Sequence, residues 1–355
     1  MNIPGSPRSS ARSTWPGTRL GTLLSASLLA LTVSLALTTP TADAAGRTDV
    51  LSRQVGISPW GKDDELGRLN LMTDASRAAV LGRIRGGDAY DLSVEYFVGM
   101  PSWHGIGDPR YQYWLTHTPR GTAVDDPLQV GHTENALVSY TGDAVSMYTH
   151  MGTHIDALNH FGLHGKIWNG FAADNYLGDK GWKKTGAETI PPIIARGVLI
   201  DLPTALGLSK LPPHFRVMRS HLELALKKQQ LTLQQGDVVL LRTGRMQDYE
   251  NAERFMQDPP GLGMEAARFL VDAGAMIIGA DNLSLETFPP EEPGNYVPVH
   301  TYLLAEHGIP IIELAYLETL AKDKIHEFAF IGGSLKFRGA SAAPLRPIAL
   351  PLRPQ

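Results

Sequence analysis

The 355-residue chain has no cysteine. That excludes a disulfide scaffold, a thiolate metal site, a cysteine nucleophile and a lipid-modified N-terminal cysteine. An excess of charge of either sign is also missing: Lys and Arg total 32 against 36 Asp and Glu, a formal net charge of -4. Without a basic excess there is no electrostatic footprint for nucleic acid, and none is expected as a partner. Charged residues make up 19% and hydrophobic residues 43%, which excludes a solvated disordered chain and allows a sizeable core. Beyond about Leu37 no apolar run is long enough to span a bilayer. Several catalytic signatures are absent as well. There is no HExxH, hence no zincin-type site. No G-x-S-x-G occurs; Gly332-Gly333-Ser334-Leu335-Lys336 lacks the last glycine. Gly261-Leu262-Gly263-Met264-Glu265-Ala266 follows Asp258-Pro259-Pro260 rather than a strand, which discounts it as a dinucleotide fingerprint.

What is present begins with an address. Arg8, Arg12 and Arg19 precede a charge-free apolar stretch from Leu20 to about Leu37, and small residues follow, ending in Ala42-Asp43-Ala44. A basic region, an apolar region and an A-x-A site are the layout of an export signal over residues 1–44, with cleavage expected after Ala44. The competing reading is an uncleaved membrane anchor, since the stretch is nearly long enough to span a bilayer. Its many Ala, Ser and Thr residues and the A-x-A site favour cleavage. No two arginines are adjacent there, so a twin-arginine signal is not supported. Residues 45–355 are expected as one exported domain, periplasmic or secreted, without stable membrane insertion once the signal is removed.

Along that domain, Thr73 to Arg85 reads as a helix stopped by Gly86-Gly87, and Ala89 to Tyr96 alternates like a strand. Met100 to Gly131 is rich in Gly, Pro, Trp and Tyr and reads as a long functional loop. Ala136–Tyr140 and Val145–Tyr148 read as strands joined by a turn at Thr141-Gly142-Asp143. Later the pattern becomes βα-like. Strands are expected at Gly197–Leu202, Asp237–Thr243, Ala275–Ala280, Ile309–Leu314 and Glu327–Ile331. Helices are expected after a capping box at Ser220 and Glu223, at Met264–Asp272 and at Val299–Glu306. A Pro-rich tail from Pro344 ends the chain. The reading is one mixed α/β domain with a β-rich first half.

The chemistry is concentrated in residues 150–160, His-Met-Gly-Thr-His-Ile-Asp-Ala-Leu-Asn-His. Three imidazoles and a carboxylate within eleven residues suit a divalent cation such as Zn²⁺, Mn²⁺ or Fe²⁺, with no soft sulfur involved. A four-residue step puts His150 and His154 on one side of a helix, but Asp156 lies off that side. A bend at Gly152-Thr153 would bring all three together.

HMGTHIDALNH resembles the HxGTHxDxxxH motif of the cyclase-like metal-dependent hydrolases, the family of bacterial kynurenine formamidase and isatin hydrolase. Other stretches agree: Asp91-Leu92-Ser93 with Gly99-Met100-Pro101-Ser102-Trp103, Gly236–Gly244, Gly279–Ser284, His300 and Glu313 on either side of a Gly-Ile-Pro turn, and Gly339–Ala349. Leu158 stands where many relatives have proline. The resemblance implies a swivelling β/β/α fold with mixed sheets and flanking helices, in homo-oligomers (dimer or tetramer). It implies that His150, His154 and Asp156 bind a first metal. In formamidase-like members Asp156, His160, His300 and Glu313 hold a second. In isatin-hydrolase-like members one metal suffices, and His160 is free for proton transfer. The cofactor would be one or two divalent ions, Zn or Mn, making hydroxide available to attack an amide or cyclic amide carbonyl. Ester or lactone chemistry on the same site, and an exported binding protein without turnover, are the competing readings. Trp103, by its place in the matched motif, and Phe161 and Trp168, by following the metal motif, are expected to bind a planar small-molecule substrate.

Overall fold

Apolar runs without polar alternation suit strands covered on both faces, and four such runs form the centre of a nine-stranded mixed sheet. The structure is a computed structural model and describes residues 50–353; the export signal expected over residues 1–44 lies outside them. In chain order the sheet strands are β1 (Tyr90–Asp91), β2 (His154–Asp156), β3 (Ile193–Asp201), β4 (Val238–Arg242), β5 (Ile277–Ala280), β6 (Ile311–Glu313), β7 (Glu327–Gly332), β8 (Ala342–Pro344) and β9 (Ile348–Pro351). They lie side by side as β1-β9-β7-β3-β4-β5-β6-β2-β8. Strands β3 to β6 are parallel neighbours, and both wings are antiparallel.

Because side chains alternate along a strand, each central strand feeds two cores. Val198, Ile200, Val239, Leu241, Ile278 and Ile311 join one, with Leu222, Ala225 and Leu226 of α2 (Arg219–Gln229) and Ala266, Ala267 and Leu270 of α3 (Met264–Asp272). Leu199, Val238, Leu240, Ile277 and Ile312 join the other, with Ile155, Phe328, Phe330, Leu317 and Leu320. This is the mixed α/β architecture with flanking helices that the resemblance implies.

Local chemistry explains the element ends. The first helix, α1 (Asp74–Gly82), is capped by Thr73, whose hydroxyl accepts from the Ser76 amide while the Ser76 hydroxyl accepts from the Thr73 amide. Helix α2 is not capped by Ser220 and Glu223; His221 Nδ1 accepts the Met218 amide one turn earlier (3.0 Å). Residues 298–306 are helical as expected, but Thr301–Glu306 winds as a π-helix.

Four expectations are corrected. The first half is not β-rich: it supplies only β1, β2 and small two-stranded pairs. Residues 89–96 form a two-residue strand, because past Asp91 the backbone bonds elsewhere, Val94 donating its amide to the Thr153 hydroxyl. Thr141-Gly142-Asp143 is not a turn between strands. Gly142–Ser146 is itself a strand, paired antiparallel with Gln112–His117 from inside the supposed loop. The Pro-rich tail is likewise no tail, since β8 and β9 both belong to the sheet.

Candidate metal centre

Strand alternation builds the site. His154 and Asp156 are two residues apart on β2, so they share a face while Ile155 enters the opposite core. On the neighbouring β6, Glu313 pairs with His154 in register. His154 Nε2 lies 3.5 Å from Glu313 Oε2 and 3.4 Å from Asp156 Oδ1. The His-x-Asp spacing is thus a strand period rather than a helical one. Both Glu313 and the loop after β5 sit at carboxyl ends of parallel strands, where open α/β sheets place ligands.

His150 reaches the same point through the bend foreseen at Gly152, which has φ +58°. The Tyr96 hydroxyl lies 3.1 Å from the Met151 and Thr153 carbonyls on either side of that bend. His150 Nδ1 comes within 2.7 Å of Asp156 Oδ1, and the His150 and His160 rings lie 3.8 Å apart, tilted by 31°. His300, from the short helix after Val297, puts Nε2 3.4 Å from Glu313 Oε1. All six side chains expected at the metal are therefore brought together. Five are buried, and His160 is partly exposed. Among the described residues, the donor atoms of His150, Asp156 and His160 converge, as do those of His154, Asp156 and Glu313. Asp156 is common to both triads, as it is to both expected metals, but the histidines group differently: His150 falls with His160 and His154 with Glu313.

His154 Nε2, both Asp156 carboxylate oxygens and Glu313 Oε1 are buried without a hydrogen-bond partner. The close His150–Asp156 approach does not have hydrogen-bond geometry. Orphaned polar atoms of this kind normally cost about 1–3 kcal/mol each. Four lone-pair-bearing atoms converging in one place are what a divalent cation would use. The donor set therefore fits a metal ion.

Each inner imidazole has an outer partner that fixes its ring. His154 Nδ1 donates to the Gly152 carbonyl (2.8 Å), His150 Nε2 meets the Ser341 hydroxyl (2.8 Å), and His300 Nδ1 meets Glu286 Oε1 (2.6 Å). The protonation states follow the neighbours. Burial, reinforced by His150, holds His160 well below the usual histidine value. For Asp156, burial pulls upward, but His160 and His150 outweigh it and hold the carboxyl well below its usual range. Burial pulls His300 down, but Glu286 and Glu313 outweigh it and push the ring up to about 10. A bound cation would reverse that last balance, since its charge opposes the imidazolium.

The expected substrate residues divide. Phe161 packs edge-on against His160 (4.3 Å between centroids) and against His300 (5.2 Å), with the Tyr296 ring 6.3 Å away. Trp103 is partly buried in a cluster with Met100, Met151, Tyr111 and Met246. Trp168 is a core residue, 3% exposed, with Nε1 donating to Asp64 and its ring against Gly56 and Gly308; its indole N–H is already used. Arg346 forms an exposed pair with Asp91 on the rim of a cleft of about 1110 Å³ that none of the six donors lines. Glu286 and Ser341 are not singled out by the sequence, and Thr153 only as part of the bend at Gly152-Thr153. Ser341 lies in the matched closing segment, whereas Glu286 precedes Glu291 and Glu292 and looks like part of an acidic surface run.

Comparison with known proteins was made on this frame. Residues 90–287 match a family model described as a putative cyclase. That span includes His150, His154, Asp156, His160 and Glu286 but stops short of His300 and Glu313. A kynurenine formamidase from Bacillus cytotoxicus is 27% identical over 208 residues, 59% of this chain and 79% of that protein. The crystal structure of a novel cyclase superposes with a TM-score of 0.73 at 27% identity, covering 82% of this chain and 95% of the other. Isatin hydrolase A from Ralstonia solanacearum shares the fold, with a TM-score of 0.56 at 19% identity over 79% of this chain and 97% of that one.

Proposed function

The chain belongs to the cyclase family, and from that premise we propose that it is a divalent-metal amidohydrolase, cleaving the C–N bond of an amide or cyclic amide in a small aromatic substrate. The observation that carries this reading is the convergence of buried, unpartnered lone pairs on His154, Asp156 and Glu313. The names of the similar proteins, kynurenine formamidase and isatin hydrolase, support an aromatic amide as substrate. His150, Asp156 and His160 would hold one ion; His154, Asp156 and Glu313, with His300 beside them, would hold another. An all-nitrogen and oxygen set suits Zn²⁺ or Mn²⁺. When bound, such an ion polarises a carbonyl oxygen and lets water act as a nucleophile near neutral pH.

The chain's own groups do the rest. His160 is neutral, partly exposed and without a hydrogen-bonded outer partner like those of His150, His154 and His300. Where one ion suffices, it takes a proton from the attacking water and returns it to the leaving nitrogen. The Phe161 face beside it, with Tyr296, holds a planar ring next to the reacting carbonyl. Burial of the other donors keeps bulk water from competing for them.

The same proposal includes an exported location, resting on residues 1–44, and a homo-oligomer. The oligomer is supported by exposed apolar side chains on and around the Gln112–His117 and Gly142–Ser146 pair: Tyr113, Trp114, Leu115, Leu137, Val138 and Val145. Elemental mass spectrometry of purified protein, without added metal, is the first test. One or two equivalents per chain, with turnover on a panel of aromatic amides and esters, support the reading; the preferred members decide between C–N and ester chemistry. His154→Ala is expected to lose both metal and turnover. Wild-type protein that takes up neither Zn²⁺ nor Mn²⁺ would overturn it.

A further inference from the structure

We propose that Glu286 is a positioning residue for this centre, holding the His300 ring so that Nε2 faces the donor cluster. The inference rests on the metal-dependent reading above. Glu286 is 1% exposed and lies in the loop after β5, outside both converging triads. Its Oε1 accepts from the His300 backbone amide (3.0 Å) and meets His300 Nδ1 (2.6 Å), while Oε2 accepts from the Val299 amide (3.2 Å). One carboxylate thus fixes the main chain and the ring of the same residue. The need for it is local. The Val297 side chain supplies no cap to this short helix, and Pro298 has no N–H, so Val299 and His300 carry its first free amides. Glu286 takes both.

The three outer partners also differ in kind. His154 leans on a carbonyl and His150 on a hydroxyl, whereas His300 leans on a carboxylate. A carboxylate partner fixes the tautomer with hydrogen on Nδ1 and makes Nε2 a stronger donor to a cation. That sets His300 apart as the one of the three imidazoles whose donor strength a carboxylate sets.

The test is Zn²⁺ binding by the full-length protein under chelator competition, wild type against Glu286→Gln, with thermal unfolding alongside. Glu286→Gln keeps the size and one acceptor oxygen but removes the carboxylate. It is expected to raise the zinc dissociation constant about 10- to 100-fold and to lower kcat similarly with KM within about twofold. Glu286→Asp is expected to recover part of that affinity. Wild-type zinc affinity in Glu286→Gln overturns the inference and leaves the metal reading intact, whether or not the melting temperature falls. A wild-type protein that binds no zinc overturns both. Should the variants not fold, ¹⁵N-histidine NMR of the zinc-loaded wild type decides: the Nδ1–H tautomer of His300 supports the inference, and the Nε2–H tautomer refutes it.

Discussion

Thr153 lies between two of the motif histidines, is fully buried, and uses one hydroxyl to join three segments. Oγ1 donates to the Leu314 carbonyl, next to Glu313, at 2.6 Å and accepts the Val94 amide at 2.9 Å. Thr153→Val keeps the shape and leaves a buried carbonyl and a buried amide unpaired. The cost should be about 2–4 kcal/mol, read as a lower urea midpoint at unchanged slope, with faster loss of metal to a chelator. A valine variant with the wild-type midpoint would mean that the hydroxyl contributes nothing net. The same scale explains what was hard to see in the sequence. Three imidazoles and a carboxylate in eleven residues announce themselves. A single glutamate whose role is to face another residue's Nδ1 has no spacing to betray it, and Glu286 reads as one acid among several.

Elements were legible where burial alone decides them. The strands at 238–242 and 277–280, the helix at 264–272 and the later part of the strand Ile193–Asp201, expected only from Gly197, are apolar enough to be read locally, because both strand faces or one helix face must be covered. Elements fixed by distant partners were not legible. Gly142–Ser146 is a strand because it pairs with Gln112–His117, and β8 is one because it pairs with β2; neither partner can be identified from the segment itself. The bend at Gly152 was legible and can be tested. A Cβ there would lie 2.2 Å from the Tyr96 ring, at a φ that side chains rarely adopt. Gly152→Ala should therefore displace Tyr96 from the Met151 and Thr153 carbonyls and carry His150 away from Asp156. Metal content is expected to fall severalfold in protein that keeps its circular dichroism spectrum, at a stability cost of about 1–3 kcal/mol. Full metal content in the alanine variant would show that the bend is not what aligns the donors.

For the molecule as a whole, His307 sets part of the response to acid. Burial, then the neighbouring Arg68, lowers its pKa to about 4. The folded state therefore binds fewer protons than the unfolded one between pH 4 and about 6.5. The stability this group confers is present above pH 6.5 and is lost as pH falls through 4. His307→Gln should flatten the acid side of the stability curve by about 1–2 kcal/mol, allowing for the partial exposure of the ring. Denaturant titrations at pH 7, 5.5 and 4.5 measure this; parallel curves for the two proteins would assign the slope to other groups.

Strands β8 and β9 are adjacent in the chain but sit far apart in the sheet. β9 is wedged between β1 and β7, while β8 closes the far edge beside β2. The last strands made therefore complete both wings, including the strand that carries His154 and Asp156. A chain that has reached β7 would still expose open ladder edges on both sides. The sheet is therefore not complete until the segment through Pro351 has joined it. Any chain broken off before Ala342 would bare those edges and is expected to clump rather than to keep partial activity.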